Sequence, residues 1–305
     1  MSATRLNRGR SLTLAAMTVA LAVPATAAAA EQADLRVEAG RPLAAATYVT
    51  DTARIKTTKS SSCQGSGETK TIQGPNALGL LWSAAAQTKA LRPVAVSDQY
   101  DFGLLVCGVS TFAGGDTAYW LYKVDHKLPE VGAEQFPLKG GEEVLWYFSD
   151  VTANRNTGDE LALQAPARAK PDSTVTVHVW AYDATGKRTP AAGATVGGET
   201  TDAQGRATVQ APAKGTLKLR AERGADIASA RLSVCVTAKG GCPARRGKKI
   251  LGSGKPDRIK GTKGPDAIAV KGGGRDRVRC GGGRDRVTAD RHDHVARDCE
   301  VVKRG

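Results

Sequence analysis

After residue 30, apolar and polar residues alternate in short runs. "LRVEAG" (35–40), "ATYVT" (46–50), "YDFGLLVCGVSTF" (100–112) and "TAYWLYKV" (117–124) have the period of two expected of strands. "FPLKGGEEVLWYFS" (136–149) is a Gly-Gly turn feeding another strand. One stretch departs from the period. "NALGLLWSAAAQTK" (76–89) sets Leu78, Leu81, Trp82 and Ala85 on one helical face, with Pro75 and Asn76 as start signals. One helix among several strands predicts an α+β, β-grasp-like head over residues 31–150.

A second set of alternating runs follows the polar stretch "DVTANRNTGDE" (150–160). "STVTVHVWAYD" (173–183), "TTDAQGRATVQAP" (200–212), "GTLKLRAER" (215–223) and "ASARLSVCV" (228–236) are strands parted by Gly, Pro and Asp turns, predicting a β-sandwich over 155–237. From Leu251 the phrase Asp-x-Ile/Val recurs at Asp257, Asp266, Asp276, Asp285 and Asp293, every 8 to 10 residues. That regularity predicts a short β-roll-like tail over 250–302. The expected fold class is mainly β and multidomain.

Charge divides the chain in the same way. From Pro243 onward there are 18 Lys/Arg against 8 Asp/Glu. With three arginines before residue 30 and that surplus of ten, residues 31–242 keep one unit of the net +14. A basic end seeks polyanions, such as cell-envelope polymers or acidic polysaccharide. Nucleic acid is the weaker partner, because no Phe, Tyr or Trp follows Pro243 to stack on bases.

Residues 1–30 read as a secretory signal peptide: Arg5, Arg8 and Arg10, an apolar run from Leu12 to Val23, then small residues with cleavage expected after Ala30. No other apolar span is evident, so the mature chain is expected without a transmembrane segment, secreted or at the cell surface. In an oxidising compartment the six cysteines suggest disulfides. Their order suggests local pairs, Cys63 with Cys107, Cys235 with Cys242 and Cys280 with Cys299, although sequence leaves other connectivities open.

Three resemblances add to this. Residues 118–148, "AYWLYKVDHKLPEVGAEQFPLKGGEEVLWYF", resemble the C-terminal β-domain of transcobalamin and intrinsic factor, and above all its bacterial relatives. Tyr119-Trp120, Gly132-Ala133-Glu134, Phe136, Leu138, Gly141-Glu142 and Val144, Trp146, Tyr147 carry the likeness. It implies a ligand-binding or protein-binding head, with a cobalamin-like or carbohydrate ligand as the small-molecule alternative. The helical domain that completes the animal carriers has no counterpart in this sequence. "AGATVGGETTDAQGRATV" (192–209) resembles bacterial immunoglobulin-like and carboxypeptidase-regulatory-like domains, in which Thr-Asp-x-x-Gly-x-Ala is a structural turn. The tail resembles degenerate calcium-binding repeats of hemolysin-type proteins, G-G-x-G-x-D-x-U-x; "GTKGPDAIA", "KGGGRDRVR" and "CGGGRDRVT" match best.

Candidate sites follow. Asp266, Asp276, Asp285 and Asp293 are the expected calcium ligands, calcium wanting six to eight oxygens from several turns. A metal-free alternative pairs Arg275, Arg277, Arg284 and Arg286 with aspartates of adjacent turns, and a disordered tail is a third. Tyr119, Trp120, Tyr122 and Trp146 are the expected ligand-gripping aromatics, with a buried core as the competing reading. "GSGKPD" (252–257) fails as a phosphate loop because Pro256 replaces Ser/Thr. His292 and His294 near Cys299 suggest zinc only if that cysteine is reduced. No nucleophile–base motif stands out, so the expected function is a non-enzymatic extracellular binding or scaffold protein, with an exported hydrolase as the remote alternative.

Overall fold

A computed structural model describes residues 29–305. The predicted signal peptide lies almost wholly outside the described residues. The chain is mainly β, with several sheets and one α-helix among the described residues.

In the head, strands Glu31–Glu38 and Pro42–Thr50 form an antiparallel hairpin. Strand Glu143–Asp150 runs parallel to the first of these, and Ala118–Val124 pairs antiparallel outside it. The helix Ala77–Gln87 lies across one face, capped by Asn76, whose side chain accepts from the Gly79 N–H at 2.7 Å. Leu78, Leu80, Leu81 and Ala84 are buried against Leu35, Val37, Val144 and Trp146.

The strands Glu31–Glu38 and Glu143–Asp150 are covered on both sides, because the sandwich packs on the face opposite the helix. The alternate residues Leu145 and Tyr147 meet Ile227 there. Arg36 and Glu38 are buried on the same side and pair with Glu160 and Arg220 at 2.6 and 3.0 Å. His126 Nδ1 lies 3.0 Å from Glu160, and Lys123 Nζ donates to the carbonyls of Tyr182 and Asp183. Burial alone would depress His126, but the Glu160 carboxylate outweighs it and raises its pKa. Burial opposes ionisation of Glu160, but His126, Arg36 and Lys123 together lower its pKa.

The middle of the chain forms small antiparallel sheets around a separate apolar core that includes Leu161, Val177, Val179, Val209 and Leu219. Its Thr201–Asp202 turn is as the sequence pattern implies. Asp202 Oδ1 accepts from the N–H groups of Gln204 and Arg206, and Gly205 sits at φ 73°, where a Cβ would meet the Val179 carbonyl at 2.4 Å.

The C-terminal part coils. Ile250, Ile268, Val287 and Val302 are register partners in one parallel sheet, and Ile259, Val278 and Val295 in a second. The nine-residue unit is therefore half a coil, and successive units fall on opposite sheets. Disulfide Cys280–Cys299 crosses this narrow core; Cys63–Cys107 and Cys235–Cys242 form elsewhere. The roll is not a free tail. Strand Lys249–Leu251 pairs parallel with Pro42–Thr50, so the head's sheet and one roll sheet form a single eight-stranded sheet. Arg246 ties the connection to the sandwich through the carbonyls of Ser233, Ala165 and Pro166.

Candidate functional site

The repeating aspartates point inward. Asp257, Asp266, Asp276, Asp285 and Asp293 are all at most 6 % exposed. Each carboxylate on a later coil accepts a backbone N–H from the coil before it. Asp276 Oδ1 takes Asp257 N–H at 2.8 Å, Asp285 Oδ1 takes Asp266 N–H at 2.7 Å, and Asp293 Oδ1 takes Asp276 N–H at 3.0 Å. Asp266 Oδ1 does the same for Lys248, and Glu300 Oε2 for Asp285. This carboxylate-to-backbone ladder stands where arginine–aspartate pairs were the expected alternative. Among the described residues, Arg275, Arg277, Arg284 and Arg286 make no ion pair; Arg277 and Arg286 alternate outward while the aspartate before each turns in.

The second carboxylate oxygens divide the units into two kinds. Asp257 Oδ2 accepts from Ser253 N–H at 2.5 Å, and Asp266 Oδ2 from Thr262 N–H at 2.5 Å, with both hydroxyls donating to Oδ1 of the same group at 2.8 Å. Asp293 Oδ2 accepts from Asp290 N–H at 2.7 Å. Asp276 Oδ2 and Asp285 Oδ2 are buried with no hydrogen-bond partner. In these two units Gly272 and Gly281 stand four residues before the aspartate, where Asp257 and Asp266 have Ser253 and Thr262 and Asp293 has Ala289.

The glycine loops also bring backbone close. A Cβ at Gly274 would meet Pro256 at 2.4 Å, and one at Gly283, φ 120°, would meet the Gly264 carbonyl carbon at 2.6 Å. Burial pushes Asp276 up to about 6, with the carboxylates of Asp257, Asp293 and Asp290 adding to it. Asp285 is raised by burial in the same way, next to Asp266, Glu300 and Asp298.

Of the four expected metal ligands, Asp276 and Asp285 thus keep an oxygen to offer, and those of Asp266 and Asp293 are engaged by backbone and hydroxyl donors. Among the described residues no three His, Cys, Asp or Glu side chains converge as a metal cage. A hard cation wants six to eight oxygens, more than these side chains alone supply. Cys299 is oxidised, and His292 and His294 are exposed, which removes the thiolate that the zinc reading needed.

The expected aromatic face is corrected. Trp120, Tyr122 and Trp146 are 4, 8 and 2 % exposed and belong to the head's core, where Tyr122 stacks on Trp146 at 5.3 Å. Only Tyr119 is turned to solvent. It joins Tyr100 at a cleft of about 240 Å³ edged by Asp116 and the Cys63–Cys107 disulfide. Tyr100 stacks on the exposed Phe102 with ring centres 5.0 Å apart. Sequence reading missed Tyr100 and Phe102; their place beside the Gly103 bend, at a hairpin tip, was the available signal.

Comparison with known proteins places one part of the chain. Residues 106–150 match the domain of unknown function DUF4430, a family related to transcobalamin-like domains. No curated protein and no solved structure matches the chain. Among the described residues no helix is long and apolar enough to cross a membrane.

Proposed function

We propose that this is an exported, non-catalytic binding and scaffold protein whose C-terminal roll takes up calcium at Asp276 and Asp285. The observation that supports it is the pair of buried, unpartnered oxygens Asp276 Oδ2 and Asp285 Oδ2, which among the roll's repeating aspartates fall on the two Gly-Gly-Gly units alone. A buried carboxylate oxygen left unpaired costs stability, and a hard cation relieves that cost. Calcium would supply charge neutralisation and nothing chemical; Asp276 and Asp285 would hold it, with backbone carbonyls of the neighbouring glycine loops. The three disulfides and the predicted signal peptide support a place outside the cell.

Calorimetric titration of the chelator-stripped, oxidised chain tests the reading. Calcium is expected to bind at two sites, Asp276→Asn to leave one, and the double variant with Asp285→Asn to leave none. Asparagine keeps the oxygen that accepts from the preceding coil, so the ladder survives. Unchanged heats in the double variant would overturn the assignment.

One observation favours a second reading, a small-ligand site on the head. The stacked Tyr100–Phe102 pair and Tyr119 offer exposed ring faces beside the polar edge at Asp116, which suits a sugar ring. Tyr100→Ala is expected to abolish any retention on immobilised glycans without changing calcium binding, measured on the same preparation.

A further inference from the structure

The coil sorts charge in a way that the linear sequence does not. On the second roll sheet, Arg258, Arg277 and His294 are successive register partners, and Lys260 pairs with Arg279. Register partners on neighbouring parallel strands lie about 4.8 Å apart. These five side chains are exposed, and among the described residues none makes an ion pair. The outward positions of the opposite sheet are mixed instead: Lys249, Ala267, Ala269, Arg286, Thr288, Val301 and Lys303.

The row of Arg258, Arg277 and His294 lines a groove of about 810 Å³, which Arg275, Arg291 and His292 also line. Asp257 and Asp276, which also line it, are buried: the Asp257 carboxylate accepts from Ser253, Asp276 Oδ1 accepts from the Asp257 N–H, and Asp276 Oδ2 is the open oxygen described above. The groove therefore presents cations to solvent. Ala29 and Ala30 line it as well, and the cleavage expected after Ala30 would clear them from it.

We infer that this face binds a linear acidic polysaccharide, with carboxylates of successive sugars crossing Arg258, Arg277, Arg279 and Lys260. Guanidinium forks take carboxylates in two parallel hydrogen bonds, and unpaired ones give up no existing partner to do so. Regular rows fit a polymer with regularly spaced charge. A nucleic acid would find mainly phosphate contacts, since the roll offers no Phe, Tyr or Trp to stack on bases. The inference rests on the extracellular part of the proposed function and not on calcium.

The test is binding of polygalacturonate to the full oxidised chain over a range of salt, with neutral dextran and poly(dT) as comparison polymers. Two triple variants remove the same charge from opposite faces: Arg258→Gln/Arg277→Gln/Arg279→Gln and Lys249→Gln/Arg286→Gln/Lys303→Gln. The first is expected to weaken polygalacturonate binding by about tenfold or more and to flatten its salt dependence, with the second having little effect. Equal losses would show attraction by net charge alone and overturn the site. Absence of binding, or tighter binding of poly(dT) at the same salt, would overturn the ligand class. If the first triple does not fold, arginine modification by phenylglyoxal decides: polygalacturonate protects Arg258, Arg277 and Arg279 if the site is real, and leaves them as reactive as dextran does if it is not.

Discussion

At the scale of single residues, the aspartates of the roll differ in how their second oxygen is held. Ser253 and Thr262, four residues earlier, bond the carboxylates of Asp257 and Asp266 twice, through the backbone N–H and the hydroxyl, whereas Gly272 and Gly281 have no hydroxyl to offer Asp276 and Asp285, whose Oδ2 atoms stay open. Thr262→Ala is therefore expected to lower stability by about 1–3 kcal/mol, read by chemical denaturation in chelator, because it strips the hydroxyl donor from a buried carboxylate. The signal was present in the sequence as the change from Ser/Thr to Gly at this offset. It gained meaning only once the carboxylates proved to turn inward, where repeat spacing alone does not place them. The same limit applied to Trp120, Tyr122 and Trp146. Alternation put these rings on one face of their strands, but did not show that the helix packs on that face and makes it core.

At the scale of elements, the head's sheet and the sandwich meet through a buried charge cluster that no local pattern announced. Arg36, Glu160 and Lys123 are far apart in sequence, and only the packing of two modules brings them together. Glu160→Gln is expected to destabilise the chain by about 3 kcal/mol or more, since it leaves the Arg36 guanidinium buried opposite a neutral amide. The pH dependence follows from the two shifts. His126 is raised above its ordinary 6.5, so its contribution is complete below that pH and is lost as pH rises through the raised value. Glu160 is lowered below its ordinary 4.5, so its contribution is present above that pH and is lost as pH falls through the lowered value. Thermal stability is expected to decline on the alkaline side of pH 6.5, and His126→Gln should flatten that decline in melting curves taken across the range.

At the scale of the whole molecule, the three stretches that the sequence separates by composition form a continuous structure. The strands, the helix and the half-coil repeat were legible from period and turn residues. The joining of head and roll was not, because strand Lys249–Leu251 follows no aspartate and so lacks the mark of the repeat. Its pairing with Pro42–Thr50 covers what would otherwise be an open edge of the head's sheet. A chain truncated after Cys242 is accordingly expected to self-associate through that edge, seen as a larger mass in light scattering, whereas the full chain keeps the edge paired.

If calcium completes the roll, the melting temperature of the full oxidised chain must differ between calcium and chelator. A rise with calcium is expected in the wild type, about half that rise in Asp276→Asn or Asp285→Asn, and none in the double variant. A wild type that melts at the same temperature in calcium and in chelator, with its roll folded in both, would contradict it.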